Sequence, residues 1–466
     1  MLNLFEKLKI DDENLHRKYL YIRDNLAYTG EQSVLNDWVD GFQDRDNKII
    51  KEFQTTFHSS FWEFYLFALF KEAGFEIDFS KNRPDFIIEK PFVIYIEAVV
   101  ANIKKDGQQE ENRNLDDILS MIKAHSLQED FDDNMRESIT RYSNAILSKS
   151  NKYTEYSKDN KYDICAPYVV ALSGYEQLNY GNNFYYAMLA LLYGCYYDNL
   201  NDKYNNKENI IKPNTESSIP IGLFLDDKMA HISAIIFSCT LTLGKLTSLA
   251  LSQKKTEIKL NSVLCIRHDF EPPHFKIQLI SPENPEHLSD GIFVFHNPFA
   301  KNPLPDNLFE KTNVVNVKFN VATNDLYMEG NNLPVVSRLN LFAGEFFLKA
   351  YIQKIFSEFN QDIVFIFAKV LFIEDADDFN GFDIEFEDID DNISFTINFS
   401  TEKFDQYKVE ENQIFFFTFK LMRNPEIEIE SLDQFKRYQS LKKLRCFSLD
   451  ECQIIDIKKC ENLTTA

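Results

Sequence analysis

Glycine is scarce in this chain, at 13 of 466 residues. No Gly-x-x-x-x-Gly-Lys-Ser/Thr loop, no Gly-x-Ser-x-Gly elbow and no His-Glu-x-x-His pair occurs. These absences set aside a backbone cradle for phosphates, a serine nucleophile on a strained turn and a zinc pair on one helix face. Cysteine is sparse too: the seven, at 165, 195, 239, 265, 446, 452 and 460, form no Cys-x-x-Cys pair. An odd, scattered set fits reduced cytosolic thiols better than a disulfide or zinc framework. His268 and His274 lack a third partner at metal-ligand spacing, and His296 stands alone at the end of an apolar run. Long apolar runs are missing as well. No uncharged stretch reaches the ~18–20 residues a bilayer span needs, and the N-terminus has no apolar signal core. The expectation is a cytoplasmic protein with no membrane partner. Net positive charge is also lacking: the balance is −23, which argues against non-specific coating of nucleic acid.

What is present is aromatic. Phenylalanine (43) and tyrosine (22) are abundant and 44% of residues are hydrophobic, ample material for a packed core. At 466 residues, two or three domains are expected.

The most informative stretch runs from 57 to 100. It sets Glu63, Asp85 and Glu97 in apolar surroundings. Glu63 interrupts Phe61-Trp62-Glu63-Phe64-Tyr65-Leu66-Phe67, apolar around nearly the whole circumference of a helix that Gly74 ends. Asp85 follows Pro84 and opens Phe86-Ile87-Ile88; Glu97 closes Phe92-Val93-Ile94-Tyr95-Ile96. With a turn at Glu89-Lys90-Pro91, the two runs predict a hairpin bearing one acid on each strand. Buried carboxylates must be paired, hydrogen-bonded or bound to metal. Singly, each has a structural explanation: an ion pair of Glu63 with Arg83, a turn cap for Asp85, an exposed strand position for Glu97. Three in one helix–strand–strand unit point instead to a shared divalent cation held by hard oxygens.

This order of elements resembles the PD-(D/E)XK nuclease superfamily, in which a helix glutamate precedes a hairpin carrying Pro-Asp and then Glu-x-Lys. Pro84-Asp85 matches the first motif; Glu97-Ala98-Val99 matches the second except that Val99 replaces the lysine. The resemblance covers roughly residues 55–175, with a helix over 136–153 and a strand over 167–172 following in order. It implies a restriction-endonuclease-like mixed sheet flanked by helices, Mg²⁺ (or Mn²⁺) at Asp85, Glu97 and Glu63, and phosphodiester hydrolysis in nucleic acid, DNA ahead of RNA, in bacterial defence or DNA processing. In that family the lysine orients or deprotonates water and neutralises charge on the phosphate. Candidates to replace it are Lys149 and Lys152, one turn apart on the 136–153 helix, ahead of Lys104 just past the strand. The rival reading is a nuclease fold without catalysis that serves as a binding or scaffolding module, and Val99 is its main support.

Three regions are expected: a helical N-terminal extension (1–54), the elaborated nuclease-like core (55–310), and a smaller α+β module (335–466) for recognition or assembly, with a protein partner or a second copy of the chain. The loop holding Arg45 leads into the Glu63 helix within reach of the site. Residues 103–135 are expected as a mobile loop over the hairpin, 183–197 as an amphipathic helix and 339–356 as a helix. The acids crowded between Glu374 and Asp391 are read as a solvated loop, since Ala376 spoils a calcium-loop pattern.

Overall fold

A computed structural model describes the chain except at residues 1, 26–27, 82, 105–129, 160–161, 177–182, 257–261, 270–274, 342–362, 377–379, 390–391, 423–431 and 461–466. The expected loop over 103–135 therefore lies largely outside the described residues. Among these residues no helix is long and apolar enough to cross a membrane, and all seven cysteines are free thiols.

The architecture is mixed α/β around one large mixed sheet flanked by helices. Its strands are β1 (Glu76–Asp78), β2 (Phe86–Lys90), β3 (Ile94–Asn102), β4 (Tyr168–Tyr175), β5 (Ala234–Ser238), β6 (Phe293–His296), β7 (Val315–Asn320) and β8 (Asp325–Glu329). They lie in that order across eight positions. The β1–β2–β3 meander is antiparallel, β3, β4 and β5 run parallel, β6 is antiparallel to β5, β7 is parallel to β6, and β8 is antiparallel to β7. The parallel strands read as continuous apolar runs because both faces are covered.

One face is covered by the N-terminal helices α1 (Arg17–Asp24), α2 (Thr29–Val39), α3 (Ile49–Thr55) and α4 (His58–Glu72). The residues before 55 pack onto the sheet: Tyr19, Ile22, Leu35, Trp38 and Phe53 share one core with Phe61, Phe64 and Phe70 of α4 and with Ile94 and Ile96 of β3. Fully burying each such side chain stabilises by roughly 1.5–3 kcal/mol. The Trp62 indole N–H, carried into that core, donates to the Ala171 carbonyl at 3.0 Å. Gly74, at φ +79°, stops α4 in the left-handed region that glycine tolerates.

The opposite face carries α5 (Phe131–Tyr156) and α6 (Tyr186–Tyr193). The core stripe of α5 is Phe131, Met135, Ile139, Tyr142 and Ile146, at i, i+4, i+8, i+11 and i+15. The helix expected over 183–197 is shorter. Gly194, at φ +72°, ends it and Cys195–Asp198 turns into a strand. A side chain at 194 would meet the Lys207 carbonyl at 2.9 Å.

A second sheet joins Phe275–Leu279, Ser262–His268 and Val335–Leu341. The helix expected from 339 is therefore a strand as far as 341, and the rest of that segment lies outside the described residues. Arg338 fixes this placement, because its guanidinium makes a bidentate pair with buried Glu286, which Lys245 and Ser248 of α7 (Leu243–Ser252) also bind. The C-terminal module consequently starts later than 335. Its described part is an antiparallel sheet of Ser394–Ser400, Gly381–Asp388, Ile363–Asp375, Ile414–Leu421 and Cys452–Lys459, in that order, with helices Thr401–Tyr407 and Leu432–Phe447. Much of the acidic stretch lies on strands and not in a loop. Asp383, Glu385 and Glu387 alternate with buried Ile384 and Phe386, as a half-buried strand requires.

Candidate active site at the fork of β2 and β3

β2 and β3 pair from Ile88↔Ile94 only as far as Phe86↔Ile96, and there the chain leading into β2 departs. β3 runs on beside β4 through Glu97↔Val170 to Asn102↔Tyr175. At the fork the Asp85 side chain takes over from the lost strand: its Oδ2 accepts the Ala98 backbone N–H at 2.8 Å.

Alternation along β3 then sorts the side chains. Ile94, Ile96 and Ala98 join the α4 core, while Tyr95, Val99 and Ala101 pack with α5. Glu97 belongs to the second set and is almost fully buried, at 1% exposure. It meets the last turns of α5. The Lys149 ammonium donates to Glu97 Oε2 at 2.6 Å and to Asp85 Oδ2 at 3.2 Å. Lys152 reaches the same Glu97 oxygen at 3.1 Å, and the Tyr156 hydroxyl donates to Oε1. Two carboxylates and two ammonium groups thus share one fork.

The electrostatics differ at each group. Burial raises the Glu97 pKa, but Lys149, Tyr156 and Lys152 outweigh it and hold the carboxyl below its ordinary value. Asp85 is the converse. Burial and the Glu97 charge push it up, and Lys149 and the Ala98 N–H offset them only in part. Burial works against a charged Lys149, but Asp85 and Glu97 prevail and keep its pKa above the ordinary value. The ammonium is the fixed cation of the site.

Glu63 stands apart. It projects from α4, the helix on the other face of the sheet, and has no hydrogen-bond or ion-pair partner among the described residues. Burial first, then the charges of Asp85 and Glu52, push its carboxyl up to about 8. The three acids therefore do not close on one point: among the described residues no group of three or more His, Cys, Asp or Glu is arranged to hold a metal ion. Asp85 and Glu97 meet around an ammonium, and Glu63 senses Asp85 through its field. Arg83 is exposed and forms no pair with Glu63 among the described residues, and Lys104 is exposed past the end of β3.

Sequence reasoning missed Tyr156 and, for Arg45, reached only the loop that carries it. Tyr156 lies seven residues after Lys149 and four after Lys152, on the same helix face, a spacing that was open to reading. Arg45, from the loop after α2, donates to the carbonyls of Lys81 (2.6 Å), Pro84 (3.2 Å) and Asp85 (2.8 Å). Its guanidinium clamps the loop that delivers Asp85. No local pattern marks an arginine whose partners are backbone carbonyls about 40 residues away.

Glu63 yields a stability prediction. Its folded pKa lies above its unfolded one, so the folded state holds the extra proton between about 4.5 and about 8. Stability then falls as pH rises through that window. Glu63→Gln is expected to stabilise the metal-free protein by about 2 kcal/mol at pH 7, allowing for its residual contact with water. The gain should vanish near pH 4.5; urea melts at both pH values measure it, and an equal effect at both would contradict the assignment.

Compared with family models, with curated proteins and with solved structures, the chain finds no match.

Proposed function

We propose that the fork is the active site of a divalent-metal-dependent nuclease, hydrolysing phosphodiesters in DNA ahead of RNA on an elaborated restriction-endonuclease-like core. The observation that carries this reading is Lys149: a buried, permanently charged ammonium delivered from α5 to both acids, on the side of β3 where Val99 supplies none. A buried lysine bonded to two carboxylates is a costly way to hold a helix against a sheet, and it suits a site that must neutralise developing negative charge on a phosphate.

The donor set fits a hard cation. Burial and neighbouring acids hold Asp85 and Glu63 above their ordinary pKa values, a shift that a cation would relieve, and carboxylate oxygens are the ligands Mg²⁺ or Mn²⁺ prefers. Asp85 and Glu97 would hold the ion, and Glu63, on the helix across the sheet, would act on it only through its charge. When bound, it polarises the phosphate and lowers the pKa of water. The chain's own groups do the rest. Lys149 orients the attacking water or screens the phosphate oxygens, Lys152 and Tyr156 keep Glu97 ionised, and Arg45 fixes Asp85. Glu97 already accepts three hydrogen bonds, which favours the rival reading of a closed, non-catalytic fork that binds a partner.

One experiment separates the two. The full chain is incubated with supercoiled plasmid, linear duplex and single-stranded RNA with Mg²⁺, Mn²⁺ or EDTA, and its melting is followed with and without metal. Cleavage dependent on Mg²⁺ or Mn²⁺, together with a metal-induced rise in Tm, is the expected result. No cleavage of any substrate and no shift in Tm would leave the binding-module reading. Within the active-site reading, Arg45→Lys is expected to lower kcat about tenfold with little change in KM, because a lysine cannot span three carbonyls and Asp85 loses its fixed position.

A further inference from the structure

A cavity of about 620 Å³ opens at the β8 edge of the large sheet, on the far side of the strand order from the fork. Its size is typical of small-molecule sites. The lining is largely aromatic and acidic: Tyr186 from α6, Tyr197 and Tyr204 from the hairpin after it, Tyr327 from β8, and the carboxylates Asp202 and Glu329. His268 also lines it, and among the described residues no lysine or arginine does.

The tyrosines are arranged, not merely clustered. Tyr186 and Tyr197 stack at 3.9 Å between centroids and 9° between planes. Tyr204, the cross-strand partner of Tyr197, tilts against them by 52° and 56°. The rings therefore form a corner, and Tyr204 and Tyr327 each leave close to half of their surface open, at 45% and 46%. Asp202 is anchored at this corner by the Tyr197 hydroxyl, which donates to its Oδ1 at 3.0 Å. Glu329 pairs outward with Lys318 at 3.0 Å.

Ring faces carry negative potential, and a nearby carboxylate adds to it. Two carboxylates in the lining disfavour an anion such as a phosphate. A compact ammonium with apolar substituents gains both from the field and from the apolar walls. We propose that this cavity is a binding site for an organic cation of the alkylammonium class, independent of the chemistry at the fork.

The test is calorimetric titration of the full chain with choline and with 3,3-dimethylbutan-1-ol, its uncharged isostere. Choline is expected to bind, and the isostere about tenfold more weakly. Asp202→Asn and Tyr204→Ala should each weaken choline about fivefold or more, with circular dichroism unchanged because both positions are exposed, and Tyr204→Phe should retain binding. Equal affinity for charged and uncharged probes, or no heat with choline up to its solubility limit, would overturn the proposal. Tighter binding of an uncharged nucleoside would overturn it too and assign the pocket to a base. If the Tyr204→Ala chain unfolds, the Asp202→Asn and Tyr204→Phe titrations decide alone.

Discussion

Lys149→Met is expected to abolish metal-dependent cleavage and weaken the fold together. The lysine side chain is 11% exposed and serves Glu97 and Asp85 at once. Removing one member of a buried ion pair strands the other, at about 3–5 kcal/mol. Lys152 remains on Glu97, so the expected loss here is about 3 kcal/mol. Under the proposed chemistry, loss of the fixed cation lowers kcat by about 10²–10³-fold, the range seen when one preorganised donor is deleted from a site of developing charge. Lys152→Ala is the internal control, since that side chain is 40% exposed and exposed pairs contribute about 1 kcal/mol or less. Plasmid cleavage and urea melts of both variants give the answer. A Lys149→Met chain that cleaves at the unmodified rate would remove the lysine from the chemistry.

Asp85→Asn should remove cleavage by about 10³-fold or more while leaving the fold intact, because a neutral amide is a poor ligand for a hard cation. An amide oxygen still accepts the Ala98 N–H that Asp85 now takes. The charge it deletes is one that burial and Glu97 already disfavour. Glu97→Gln should lose activity equally but also lose stability, since it takes a partner from both lysines. Sequence reasoning expects both substitutions to be neutral or stabilising in the absence of metal. The structure divides them, because the favourable ion pairing outweighs burial at Glu97 and only partly offsets it at Asp85. Thermal melts of the two variants without metal should therefore move apart. Equal destabilisation by both would make Asp85 a structural partner of Lys149.

Legibility in the sequence followed the range of the interaction. The α4 helix, the hairpin and the acids at its start and on its second strand were readable because apolar periodicity and Gly74 are local signals. Lys149 and Lys152 were reachable only as spacing on a helix. Their contact with Glu97 bridges more than 50 residues, and the resemblance supplied the reason to look there. The opposite-face placement of Glu63 was not legible, because alternation on β3 says which side Glu97 takes but not which side a preceding helix covers. The expected helix over 339–356 meets the strand Val335–Leu341 only at 339–341, where the ladder with Ser262–His268 decides the conformation; its remainder lies outside the described residues. The strand within Gly381–Asp388 was legible from the alternation of its acids with Ile384 and Phe386, while the acidic run as a whole, Glu374 to Asp391, read as a loop by composition.

The placement of Lys149 on α5 also sets an order of events at the ribosome. Asp85, Ala98 and Glu97 lie within 13 residues, so the hairpin half can assemble while the chain is still short. The lysine arrives 52 residues after Glu97 and engages only when α5 docks, after a closure far longer than that of the hairpin. Until then the acids stand without their cation. A lysine at position 99 would emerge together with the acids; on α5, their pairing waits for the sheet to acquire its second face.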